Sequence, residues 1–571
     1  MTLGLTPLQS RGLCEGCVTR VLVIGLDGVP LDLIRSWAQE GKLPVLKSIM
    51  DGGVVGPLRS TIPPTSGPAW SSFATGKNPG KTGIYDFLYR CNGSYVFSPN
   101  DAQRRDGKSI WNILSDENRR VGVLNVPMSY PVEPVNGFII SGWMTPYRAR
   151  DFVYPPHLLA ELEANVGSYC IYPTETFSER RSQAYFEACN QLLDMRTRTA
   201  LYLMQRDRWD FFMVVFFDTD RILHQMWHYL DRKHPWRSSD GASDKSEPVW
   251  RYFQRLDHSI GQLVQEAGDD TLVMIMSDHG MGPAHNMIVL NNWLLGIGLL
   301  QLKSNPLTIL KHRSFKSGFT LSNVHKMVDR LGLARHAEYK ALYSADAILK
   351  MLFMSFHDVD WSRSKAYSFG RSVGPIYVNV KGREPHGSVN PGREYERVRH
   401  EIAALAGELT DPRTGRKLVG RVLYREEIYS GPYVDQAPDL ILLPHAETDK
   451  FFGLVDFGSK QMVQEMYRYS GMHRDHGLLM MVGPQIERGA RLDGASIVDL
   501  TPTILHAMGV PIPQDLDGRP LVEVFVGDHA QRIPRLGLVQ TSSAQSSEEA
   551  GYTVEEAREI KRRLRHMGYL G

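Results

Sequence analysis

Three carboxylates and three imidazoles stand at the ends of apolar runs: Asp27 after RVLVIGL, Asp220 and His224 after DFFMVVFF, Asp278 and His279 after TLVMIM, and His473 ahead of GLLMMVG. Six such groups are ligands enough for two divalent cations, and a mixed carboxylate and imidazole set suits zinc first and manganese second, since calcium takes oxygen alone. Between the first of them and the rest lies PTSGPAW, residues 64–70, which places a hydroxyl on a constrained turn. Serine is too weak an acid to attack at neutral pH unless something activates it, and two cations about 4 Å apart can do so. The chemistry these residues point to is phosphoryl transfer.

The spacing narrows the choice within each motif. In DTDRILHQMWH, Asp220 and His224 are four apart and share one helix face. Asp218 competes with Asp220, and His228 continues the same face. The Glu that follows the first His of a metalloprotease helix is absent, so Asp220 and His224 are the expected ligands and His228 a supporting or packing residue. In SDHG, Asp278 and His279 can both reach one ion from a turn, whereas in a continuing strand they would face opposite sides. GMHRDHG offers His473 and His476; either alone reads as a loop histidine, and the company of the other motifs promotes His473.

These residues need a frame. The runs RVLVIGL, VGVLNV, GFIISG, DFFMVVFF, TLVMIM, PDLILL and GLLMMVG are continuous apolar strands, the pattern of a sheet covered on both faces. Helical stretches such as FQRLDHSIGQLVQEA and IVDLTPTILHAM alternate with them, which predicts an α/β fold with a doubly wound core sheet and a site beyond the carboxyl ends of its strands. Two stretches break the alternation and are expected to be inserted caps: residues 144–205, rich in aromatics and Arg, and residues 300–365, basic and helical. TSSAQSSEEA (541–550) reads as a linker into a terminal amphipathic helix. The expected organisation is an N-terminal extension over 1–19, a catalytic domain over 20–525 and a C-terminal linker and helix over 526–571.

Composition sets the outer bounds. Hydrophobic residues make 42% of the 571 and charged residues 22%, an ordinary globular balance. Lys plus Arg total 65 against 63 for Asp plus Glu, so no long-range field draws nucleic acid or an anionic surface, and a small phosphate ester is the expected partner. No segment approaches the roughly 20 apolar residues of a membrane span. The five cysteines are an odd number, which fits a reducing compartment and a cytoplasmic protein; Cys14 and Cys17 form a Cys-x-x-Cys pair without the second pair a structural zinc needs. The oligomeric state is not legible.

Taken together, Asp27, the Ser66 segment followed by FATGKNPGKTGIYDF, DTDRILH, SDHG and GMHRDHG resemble the alkaline phosphatase superfamily, and most closely its type I phosphodiesterase/nucleotide pyrophosphatase branch. NVPMSYP, GPIYVNVKGREPHG, APDLILLP and DLTPTILHAMGVPIPQDLDGRPL are similar to a bacterial and archaeal subgroup of it. The resemblance implies an alkaline-phosphatase-like fold with one metal held by Asp220, His224 and His473, and the other by Asp27, Asp278, His279 and the nucleophile. Counting back from Thr75-Gly76 makes that nucleophile Ser66, with Thr65 its neighbour and rival. It implies hydrolysis of phosphodiester or pyrophosphate bonds through a phosphoseryl intermediate. Two positions depart from the branch: Thr82 stands where nucleotide pyrophosphatases carry a His, and Phe87 where they carry an Asn that binds phosphoryl oxygens. Lys77 and Asn125 are the expected replacements for that contact. A sulfatase fits poorly, because Trp70 stands where its motif requires Arg. The alternatives are a phosphotransferase or phosphomutase, a phosphomonoesterase, and a binding protein on a retained fold.

Overall fold

The computed structural model describes residues 19–175, 177–178, 181–237, 246–330, 352–531, 533, 536–537 and 551–566. Cys14 and Cys17, the linker 541–550 and residues 331–351 of the expected second cap lie outside the described residues. The chain divides into two compact units: one takes the residues up to Phe87 with 100–282 and 473–551, the other 88–99, 283–472 and the residues from 552 onward. Of the two expected caps, 144–205 falls in the first unit and 300–365 in the second.

The first unit is built on one eight-stranded sheet. Its strands are β1 (Arg20–Leu26), β2 (Val54–Arg59), β3 (Val121–Leu124), β4 (Gly137–Ile140), β5 (Val153–Tyr154), β6 (Phe211–Phe216), β7 (Thr271–Met276) and β8 (His476–Val482), in the spatial order β2-β8-β7-β1-β6-β3-β4-β5. The five from β7 to β4 run parallel, and β8, β2 and β5 add antiparallel edges. Every residue of β6 and β7, and all of β1 but Arg20, is buried. That is why these strands read as unbroken apolar runs: a parallel strand flanked by helices has no solvent face on which polar residues could alternate. The fold is α/β, as expected, with helices α1 (Ser66–Thr75), α2 (Ser182–Arg206), α3 (Asp218–Leu230) and α4 (Glu247–Ala267) among its covering elements.

One expected core strand belongs elsewhere. PDLILL forms Leu440–Pro444 in a four-stranded antiparallel sheet of the second unit, between Gly374–Val378 and Val419–Tyr424. An apolar run reports burial and not which sheet buries it. Beside this strand Asp439 is fully buried, yet the Arg383 guanidinium at 2.7 Å and the Tyr395 hydroxyl at 2.7 Å complete its bonding.

Candidate metal centre

Strand register explains how distant residues converge. Leu26 pairs with Phe216 and Gly25 with Met276, so β1, β6 and β7 end level, and Asp27, helix α3 and Asp278 all leave the sheet from its carboxyl edge. The turn after β1 depends on Gly28. Its φ of +70° is a left-handed conformation that disfavours a side chain, and a Cβ there would lie 2.8 Å from Asp220 Oδ1. The Gly28 N–H donates to Asp278 Oδ1 at 3.1 Å, and the Thr219 hydroxyl reaches the Asp27 carbonyl at 2.6 Å, which ties the start of α3 to the end of β1.

Two clusters result. In the first, His224 Nε2 and His473 Nε2 are 2.9 Å apart, and Asp220 Oδ1 lies 3.4 Å from one and 3.3 Å from the other. In the second, Ser66 Oγ is 3.2 Å from both Asp27 Oδ1 and His279 Nε2, while His279 Nε2 is 3.6 Å from Asp27 Oδ1 and 3.4 Å from Asp278 Oδ2. Donor atoms on a tetrahedral zinc with bonds of about 2.0–2.1 Å stand about 3.3 Å from one another, so both clusters have the spacing of ligand sets.

The imidazoles are aimed. His473 Nδ1 is 2.9 Å from the Pro64 carbonyl and His279 Nδ1 is 3.0 Å from the Gly280 carbonyl. A carbonyl only accepts, so each neutral ring carries its proton on Nδ1 and turns the lone pair of Nε2 into its cluster.

The electrostatics favour a cation. Burial, then the charges of Asp278 and Asp220, push the Asp27 carboxyl well above its ordinary range, outweighing His279 and the Trp70 indole, which pull it down. Burial, with Asp220 adding to it against the Gly28 N–H, raises Asp278 to about 8. Asp220 Oδ1 and Asp278 Oδ2 are buried and accept no hydrogen bond from the described residues. Three carboxylates crowded away from water, two of them with an unused oxygen facing a lone-pair nitrogen, are costly for protein alone and well matched to divalent ions.

The structure thus brings Asp27, Ser66, Asp220, His224, Asp278, His279 and His473 together. Their rivals are engaged elsewhere. Asp218 pairs with the fully buried Arg196 at 2.9 Å, His228 packs against Tyr229 and Trp236, His476 is exposed, and Thr65 precedes α1 without a capping bond from its side chain. Ser66 is not on a turn but opens a helix. Pro68 is tolerated there because first-turn N–H groups have no helical acceptor in any case. The buried Lys77 ammonium pairs with the partly exposed Asp515 at 2.7 Å. Asn125 donates to the Ser141 carbonyl at 2.9 Å and accepts from Arg196 Nε at 2.9 Å and from the Tyr169 hydroxyl. None of these bonds involves Ser66. Sequence reasoning missed Thr219, whose only signal is its place between the two acidic residues of DTD.

The type I phosphodiesterase/nucleotide pyrophosphatase family model matches residues 21–450. The chain belongs to that family. It is therefore a phosphoric ester hydrolase, and members of the family depend on metal ions. The match stops short of His473, so the family model does not cover the last member of the first cluster. Similar solved structures include phosphonoacetate hydrolase from Sinorhizobium meliloti 1021 in complex with phosphonoformate, at 14% identity, a TM-score of 0.48, and coverage of 86% of this chain and 95% of that one. Another is an inactive variant of murine ectonucleotide pyrophosphatase/phosphodiesterase 5 in complex with AMP, at 12% identity, a TM-score of 0.49, and coverage of 89% and 100%. A search of curated proteins finds no match. Among the described residues, no helix is long and apolar enough to cross a membrane.

Proposed function

We propose that this chain hydrolyses small phosphodiesters or pyrophosphates by passing the phosphoryl group through Ser66 at a centre of two divalent ions. One observation carries the reading: the Ser66 hydroxyl, on the first residue of a ten-residue helix, lies 3.2 Å from two of the cluster's donor atoms. One ion is held by Asp220, His224 and His473, the other by Asp27, Asp278, His279 and Ser66. When bound, zinc, or manganese as second choice, supplies the positive charge that acidifies the hydroxyl and offsets charge on the phosphoryl oxygens.

The residues do the rest. Asp27 and His279 hold Ser66 Oγ facing the incoming phosphorus. The Ser66 and Gly67 N–H groups, in the first turn of α1, are donors for the phosphoryl oxygens, and the helix dipole adds to them. They offer an anion contact of the kind lost at Phe87. As the Oγ–P bond forms, the bond to the leaving oxygen breaks and that oxygen departs with a proton. Water then cleaves the phosphoseryl bond, restoring the hydroxyl and releasing the phosphate group. The catalytic region spans 20–525, and the segment 144–205, in the same unit as the cluster, selects the substrate. The free thiols of Cys91, Cys170 and Cys189 favour the cytoplasm.

Ser66→Ala tests the assignment. Turnover should fall by roughly 10³-fold or more while metal content stays near that of the parent, because three protein ligands remain at each ion. A fully active variant refutes it. A panel of mono-, di- and pyrophosphate esters, run with zinc and with manganese, identifies the leaving group.

A further inference from the structure

Asp27 has two carboxylate oxygens, and only Oδ1 faces Ser66 and His279. Oδ2 accepts the indole N–H of Trp70 at 3.0 Å. Trp70 is completely buried and lies one helical turn after Ser66 on α1, so a single helix carries both the proposed nucleophile and the donor on the nucleophile's neighbouring carboxylate. The indole's place is built by the strand below it. A Cβ at Gly25 would lie 2.6 Å from Trp70 Cη2 and 2.9 Å from Val215 Cγ2, so β1 omits a side chain where the ring lies. The Asp278 carboxylate is treated the same way, with Oδ1 taken by the Gly28 N–H and Oδ2 left for the cluster.

We infer that Trp70 is a positioning residue for metal binding: its N–H holds Asp27 as a one-oxygen ligand of the ion beside Ser66. This rests on the two-ion reading above. Without the N–H, the carboxylate can rotate, and Oδ2 becomes a buried oxygen with no donor. Donors that orient a ligating side chain are typically worth 10- to 100-fold in metal affinity. A purely structural Trp would loosen the protein generally and affect both ions alike.

The test compares the full chain with Trp70→Phe, which keeps an aromatic ring but removes the N–H together with part of the indole's volume. Each is loaded with zinc, dialysed against zinc–chelator buffers of graded free zinc, and assayed for metal content and thermal unfolding. Trp70→Phe should lose one ion at a free zinc concentration about 10- to 100-fold higher than the parent requires, with the other ion held as before. Asp27→Asn, which should lose the same ion, identifies it. Gly25→Ala displaces the indole without deleting its N–H and should show the same selective loss, so the inference stays testable if Trp70→Phe does not fold. Two ions held as tightly in Trp70→Phe as in the parent, or both weakened equally, overturn the inference alone. A parent chain that binds fewer than two ions overturns the two-ion reading and this inference with it.

Discussion

Metal binding should be driven against protons. Asp278, raised to about 8 by burial and by Asp220, is about nine-tenths protonated at pH 7 in the metal-free fold. A metal ion displaces that proton, so zinc added at pH 7 should release about one proton from Asp278, with a further contribution from Asp27, which is also raised. At pH 8.5 the Asp278 share should shrink to about a quarter of a proton, and below pH 8 apparent affinity should fall by up to about tenfold per unit for each proton displaced. The sign follows from linkage. A carboxyl raised in the folded state favours the metal-free fold below its unfolded value, and that contribution is lost as pH rises through about 8. Metal should therefore stabilise the protein most on the alkaline side. Calorimetric titrations in buffers of different ionisation enthalpy measure the protons directly. Proton release near zero at pH 7 would mean that the carboxylates are already ionised, and the account of a charge-starved cluster would fail.

His473→Ala removes one of three protein ligands from the first cluster and leaves the second complete, so metal analysis should find one ion per chain at a free zinc level that saturates the parent, with activity lost. Arg383→Met takes from the buried Asp439 carboxylate the nearer of its two guanidinium partners and leaves Arg425 at 3.3 Å; losing the whole of such a pairing costs about 3–5 kcal/mol, so urea unfolding should show a loss of up to about that size in the second unit with metal content unchanged. The parent's Asp439 is buried, but Arg383 outweighs that and holds its carboxyl below the usual range. This contribution should persist down to about pH 4 and disappear only in stronger acid.

The parts of this architecture that were legible in the sequence are those where one physical cause writes one pattern. β1, β6 and β7 are buried on both faces, so their residues are apolar throughout, and a polar residue at their ends stands out. Asp27, Asp220 and Asp278 were visible for that reason. The helical start at Ser66 was not, because Gly67 and Pro68 are turn residues by propensity and the packing of Ala69, Trp70 and Phe73 overrides them. The bonding of Lys77 was equally hidden: its partner Asp515 is more than 400 residues away. Trp70 stood out only as a departure from the sulfatase motif, since nothing local shows that its N–H faces a carboxylate.

The place of β8 has a consequence for how the protein is made. β2 touches the sheet only through β8, which also supplies the route into His473, yet about 420 residues of chain separate the two strands. At about 5–20 residues per second, a ribosome needs roughly 20–80 s to bridge that gap. Throughout that time β2 has no strand beside it and the Asp220–His224 pair lacks its third donor. A nascent chain therefore cannot bring the three donors of the first cluster together before His473 has been made.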